Sequence, residues 1–395
     1  SLPNGSGTTS YVYEGSAVTV TDPAGKWKKQ ETDVFGNVVK TTEPNPAGGA
    51  NWETTYTYNQ IDQLIGVSMT RGSVTQTRTF AFDLGSLRLM WETHPESGTT
   101  TYQYNDDGTL RRKTLANGKQ VNYGWDSLGR LGAINTDQIC EGRSFEYDNA
   151  SRNAMGRLWR VTYGSGSATC PVPVQFKEEY TYTASGNQTQ KTVSLTDGGG
   201  LLAAFNVDYT FDNEGRMTSL KHGSVIDYNY GYDTLGRPST MTGTVGVSGV
   251  TYNPADQITA MTHSGLVETR QYNFRNQLTR ITVAGQMDVE YRYSGTQNNG
   301  QITQMKNWIS GEEVTYTYDA LSRLSAASTT GPEWGLSFGY DGFGNKVSQT
   351  VTKGTAPSMS VAVDGNNRVV GHTYDASGFP TAVAGTFTSL TSILS

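Results

Sequence analysis

Apolar and polar positions alternate along this chain in short runs, and the runs end in one recurring way. From Tyr230 to Arg237 the order is Tyr-Gly-Tyr-Asp-Thr-Leu-Gly-Arg. Tyr230 and Tyr232 are two apart, so their side chains share one face of a strand. Asp233 opens a turn, where a carboxylate accepts the backbone N–H two residues on. Gly236 stands where a type I turn with a G1 bulge needs a positive φ, which Gly adopts without a Cβ clash. Counting the register places Asp233 opposite Arg237, and Tyr232 opposite the residue after it. The predicted element is a β-hairpin.

The unit returns along the whole sequence. Tyr123 to Leu131 reads YGWDSLGRL, Tyr316 to Leu324 reads YTYDALSRL and Tyr102 to Leu110 reads YQYNDDGTL. Most copies follow one another at about 20 to 25 residues, a period that marks an array. The structural repeat positions are Tyr104; Trp125, Asp126, Gly129 and Arg130; Tyr232, Asp233, Gly236 and Arg237; Tyr318, Asp319 and Arg323; and Tyr340, Asp341 and Gly344. Asp256, Asn276 and Ser322 replace the turn Gly; Asn and Asp reach the left-handed region more readily than most residues, Ser less so. Each hairpin is expected to carry an Asp–Arg pair on one face and an aromatic–Leu pair on the other, about 0.2–1 kcal/mol apiece. Aromatic rings of successive hairpins are expected to stack into a ladder.

No composition shift divides the chain. It reads as one continuous array over residues 1–395, with an irregular insertion at 140–182 and a tail at 381–395 that is either a last strand or a frayed end. The fold class is all-β: consecutive hairpins forming one large antiparallel sheet. Hydrophobic residues make up only 35%, low for a single compact core, while Gly (46) and Tyr (23) suit short strands and tight turns. The net charge of −6 argues against a nucleic-acid surface, which should be basic. No apolar run is long enough to span a membrane as a helix. Ser1 is not an initiator Met, so the sequence reads as a piece of something longer. Cys140 and Cys170 flank the longest irregular interval, either as a disulfide stapling the insertion or as two half-buried free thiols.

These repeats resemble the Rhs/YD-repeat family, whose unit reads YxYDxxGRL, over about Val20 to Pro380. The family includes bacterial Rhs polymorphic toxins, the B and C subunits of insecticidal ABC toxins, and animal teneurins. The resemblance implies a β-sheet that spirals into a hollow shell, secreted or on the cell surface of a bacterium as part of a larger exported protein. In the toxins that shell encloses a toxic C-terminal domain, cut free at a DPxGL-type motif. That motif is absent near this C-terminus, so neither the cleavage site nor the cargo is carried over. Roughly 35 strands at about 4.8 Å each give a sheet edge on the order of 170 Å. That is about one turn of a spiral: a partial shell or open barrel with a lumen. The implied partners are a cargo polypeptide or the rest of a larger shell.

Chemistry is sparse. His94, His222, His263 and His372 are scattered without ligand spacing, and no HExxH, CxxC, GxGxxG, P-loop or GxSxG is present. No metal, cofactor or catalytic residue is nominated. Asp106-Asp107, Glu178-Glu179 and Glu312-Glu313 are the paired carboxylates to weigh, but strand neighbours point to opposite faces. Trp27, Trp52, Trp91, Trp159, Trp308 and Trp334 lie off the repeat beat and are the candidates for stacking on glycans. The sequence thus supports a non-enzymatic shell module, with an extracellular carbohydrate-binding or adhesion module as the alternative.

Overall fold

The computed structural model describes residues 7–137, 141–164, 174–197, 200–223 and 226–382. Strands dominate, and among the described residues the one short helix is a 3-10 turn at Ala150–Arg152. Among the described residues thirty-one strands belong to one sheet, in which strands adjacent in sequence pair antiparallel, as the first five do. Thr373–Tyr374 and Pro380–Ala382 form a separate two-stranded ribbon. The first strand, Ser10–Glu14, and the last of the large sheet, Met359–Ser360, are not paired with each other among the described residues, so the sheet is open.

The register follows from the turn. Tyr232 lies opposite Pro238, Trp125 opposite Leu131 and Tyr318 opposite Leu324, each with a bulge at that point. The bulge comes from the left-handed turn residue. Gly129, Gly236 and Gly344 have φ of +73°, +81° and +97°, and Asp256, Asn276 and Ser322 take the same conformation at +59°, +62° and +65°. The insertion after Tyr147 lengthens its turn without disturbing the pairing. Tyr147 still faces Leu158, because residues 149–153 coil into the 3-10 turn and Gly156 N–H reaches the Asp148 carboxylate at 2.7 Å. Cys140 and Cys170 both lie outside the described residues, as do residues 383–395 of the tail.

Contacts gather into two compact units: Ser1–Thr101 with Leu115–Gly118 and Val289–Ser395, and Tyr102–Thr114 with Lys119–Asp288. In both, strand residues are mostly half-buried rather than buried. Every residue of Leu278–Val283 in the second unit and of Met287–Tyr293 is of this kind. Ala17, Ala154, Val161, Val314 and Ala327 are the fully buried apolar residues among those described. A sheet this poor in apolar core needs its own side chains to brace it.

Candidate functional site

The brace is a clamp between successive hairpins, and it begins with the turn aspartate. Asp233 Oδ1 accepts the N–H groups of Leu235 and Arg237 at 2.9 Å each, and Oδ2 accepts Arg237 Nε at 2.8 Å. Asp126 holds Leu128 and Arg130 in the same way, and Asp319 holds Leu321 and Arg323. The Arg237 N–H is the main reason the Asp233 carboxyl sits below its ordinary value; burial opposes it and the guanidinium adds to it. Asp126 is depressed for the same reason by Arg130.

Each arginine then reaches the next hairpin. Arg130 bonds Asp148 at 2.6 Å and lies 4.3 Å over the Tyr147 ring; Arg237 bonds Asp256 at 2.7 Å and lies 4.3 Å over Tyr252. Arg323 lies 4.6 Å over Tyr340 and donates to the Asp341 carbonyl. The aromatic residue completes the link backwards. Tyr232 O–H donates to the Met217 carbonyl, Tyr318 to Ile302, Tyr340 to Leu324, and Trp125 Nε1 to Leu110, at 2.6 to 2.9 Å. The expected ring-on-ring ladder is therefore corrected. A guanidinium occupies the ring face, and the phenol is drawn to a backbone carbonyl left by the bulged turn.

A second feature lies within the first unit, where motif turns of the C-terminal strands dock on the N-terminal strands at the ends opposite their own motif turns. Asn299 Nδ2 bonds Asp22 at 2.8 Å, and Lys26 Nζ reaches the Tyr318 carbonyl. Arg71 spreads its guanidinium over the carbonyls of Gly342, Glu53 and Thr70 and the Thr54 hydroxyl. Gln76, only 1% exposed, exchanges hydrogen bonds with Asn367 and also donates to the Gly365 carbonyl. Asn367 also donates to Glu96, which pairs with Arg78 at 2.6 Å, while Arg368 donates to the Glu96 carbonyl. Asn117 bonds Asp375 and Ser377. The backbones come so close that a Cβ at Gly378 would collide with the Glu96 carbonyl. This seam is polar along its length, with two grooves in which aromatic and aliphatic side chains lie among charged ones such as Lys28, Glu43 and Arg71. One of about 430 Å³ is lined by Trp52, Tyr56, Met69, Leu321 and Phe343 among others; the next holds Val20, Trp27 and Leu321.

The RHS repeat family matches residues 104–138, the stretch holding the Tyr104 and Trp125 hairpins. That stretch is an RHS repeat. The fold of the chain is that of the large toxin shells. The crystal structure of TcdB2-TccC3-Cdc42 superposes with a TM-score of 0.77 at 14% identity, over 94% of this chain and 22% of that one. The Photorhabdus luminescens Tc holotoxin pore gives 0.76 at 15%, over 95% and 22%. The chain thus spans less than a quarter of the length of the chains it matches.

The remaining candidate residues do not converge. Trp52 has the Arg71 guanidinium 5.2 Å from its ring; Trp159 has Arg160 at 4.0 Å and Arg152 at 5.5 Å. Trp308 has Lys306 at 4.1 Å and bonds Glu290, and Trp334 bonds Glu312. Trp91 is 37% exposed. Glu178 is tied to Lys191 and Tyr180, Glu179 to Arg152 and Arg160, and Glu313 to Arg292 and Lys306. Asp107 caps its own turn through Thr109. None of the described helices is long and apolar enough to cross a membrane. Of the seam, Trp27, Trp52 and Tyr318 stand out in the sequence, but for other roles; Arg71, Gln76, Glu96 and Asn367 do not. The one local signal of the seam is an apolar residue, Leu321 or Phe343, at the tip of a turn that should face water.

Proposed function

We propose that this chain is a non-enzymatic wall segment of a larger, exported RHS-repeat shell, serving as scaffold around a cargo polypeptide. One observation carries the reading: nearly the whole chain fits the shell fold, at a TM-score of 0.77, yet fills only 22% of the chain it fits. The clamps support it, because their energy passes from hairpin to hairpin and needs no compact core. Of the carboxylates weighed as acid/base pairs, Glu178, Glu179 and Glu313 are held in ion pairs, Asp107 caps its own turn and Glu312 accepts from Trp334. A glycan-binding role is less well supported, since cations cover the faces of Trp52, Trp159 and Trp308 that a sugar would stack on. Small-angle scattering of the purified chain tests the reading. A profile with the mass displaced from the centre, as for a body with a lumen, is expected; a compact solid globule would overturn it.

A further inference from the structure

The seam of the first unit leaves one charge unmatched. Cross-strand pairing sets Tyr56, Val67 and Arg78 in one row, and Thr54 and Met69 in the next row on the same face. Arg71, two positions beyond Met69 on its strand, shares that face. All six line the groove of about 430 Å³, together with the turn tips Leu321 and Phe343. Four cations line it, Lys28, Arg71, Arg78 and Arg323, against one carboxylate, Glu43. Three of these cations have counter-ions. Lys28 holds Glu43 at 3.0 Å, Arg78 holds Glu96 at 2.6 Å and Arg323 holds Asp319 at 2.6 Å. Arg71 has none among the described residues. Its acceptors are three carbonyls and the Thr54 hydroxyl, all of them neutral.

A half-buried guanidinium without a counter-ion is costly, because no opposite charge offsets the solvation it has lost. Burial is the largest influence on Arg71; the Glu43 charge, already engaged with Lys28, opposes it less. The groove also has hydrogen-bond donors in excess. A guanidinium carries five N–H groups, and the bonds of Arg71 take four of them. Arg78 bonds Glu96 through Nη2, and its buried Nη1 has no partner. The Tyr56 hydroxyl makes no hydrogen bond among the described residues. The unused capacity is therefore on the donor side and the excess charge is a single positive one, beside the apolar side chains of Val67, Met69 and Phe343. This combination fits a monoanion with an apolar body. A divalent anion would leave its second charge unmatched, and a neutral ligand would leave Arg71 as it is.

We propose that this groove binds a small organic acid, whose carboxylate is the missing counter-ion of Arg71 and accepts the Tyr56 hydroxyl, and whose apolar body lies against Val67, Met69 and Phe343. Arg78 adds to the positive field. The acid touches both the N-terminal strands and a C-terminal turn of the unit, so its binding stabilises the seam. The inference goes beyond the wall-segment reading: a chain that binds no acid remains able to serve as a wall segment.

Calorimetric titration of the purified chain at low salt decides it, with phenylacetate as the probe. Phenylacetamide is its neutral counterpart, and inorganic phosphate is an anion without an apolar body. Phenylacetate is expected to bind saturably and to raise the melting temperature, while phenylacetamide and phosphate each bind about tenfold more weakly or less. The Thr54 hydroxyl lies 3.0 Å from Arg71 Nη2. Thr54→Asp therefore supplies a counter-ion from within the chain and is expected, with unchanged circular dichroism, to abolish phenylacetate binding. Tyr56→Phe removes one hydroxyl and is expected to weaken binding about 2- to 10-fold. A wild type that shows no saturable phenylacetate binding overturns the proposal and requires no variant to fold. So does equal affinity for the amide or for phosphate, or unweakened binding to either folded variant.

Discussion

The Tyr232 hydroxyl lies 2.6 Å from the Met217 carbonyl oxygen, so each hairpin is fastened to the backbone of the one before it. Arg216 lies 4.8 Å over the same ring, adding a second tie across the same boundary. Tyr232→Phe keeps the ring and removes the hydroxyl. It is expected to cost about 0.5–1.5 kcal/mol, the net value of one such hydrogen bond. Denaturant unfolding measures this. An unchanged midpoint would show that water takes over the Met217 carbonyl without loss.

The turn glycine gives a prediction of both signs. Gly236 holds φ at +81°, and Arg216 Nη1 stands 3.1 Å from where a Cβ would be. Gly236→Val is expected to destabilise by more than about 1 kcal/mol, because a β-branched residue resists that conformation. Ser322 already bears the strain, at φ +65°. Ser322→Gly is expected to be neutral or to stabilise by up to about 1 kcal/mol, the strain of a left-handed residue offset by the extra freedom of Gly in the unfolded chain. Paired thermal melts compare the two.

Acid should loosen the clamps. The carboxyls of Asp126 and Asp233 are held below their ordinary value of 3.8, chiefly by the backbone N–H of Arg130 and Arg237. A carboxyl depressed in the folded state contributes stability above its unfolded value, and that contribution is lost as pH falls through the folded one. The melting temperature is therefore expected to hold steady from neutrality to about pH 4 and to fall below it. Asp233→Asn should flatten that fall for its own hairpin, read by hydrogen exchange at Leu235 and Arg237.

Arg71 tests the seam. Its donors reach Gly342, Glu53, Thr70 and Thr54, and burial pulls its pKa down. Arg71→Ala leaves these acceptors without their shared donor and should cost about 1.5–3 kcal/mol, the range for hydrogen bonds to a charged group. Faster amide exchange in the turns at Ser322 and Gly344 is expected, with no change at Gly236. Equal protection at all three would show that the seam does not depend on this side chain.

The hairpins were legible because their constraints are local. An Asp that caps a turn and a residue that tolerates positive φ act within five positions, so the register of Tyr232 against Pro238 follows by counting. What the ring of Tyr232 touches is not local. Its partners, Arg216 and Met217, belong to the preceding copy, and nothing in a single copy distinguishes a neighbouring ring from a neighbouring guanidinium as the occupant of its face. The seam was further out of reach, since Gln76 and Asn367 are 291 positions apart. Only the tip residues bear on it: Leu128 and Leu235 are exposed, whereas Leu321 and Phe343 are half-buried in the same turn position.

The chemistry of the Gln76, Glu96 and Asn367 stretch also determines how it would come apart. Parting these groups exposes amides and a carboxylate, which water solvates at once, and polar exposure lowers heat capacity where apolar exposure raises it. This part of the join therefore opens without creating a sticky face. It acts as a fastener that water can undo and the protein can redo, with no hydrophobic intermediate to divert it.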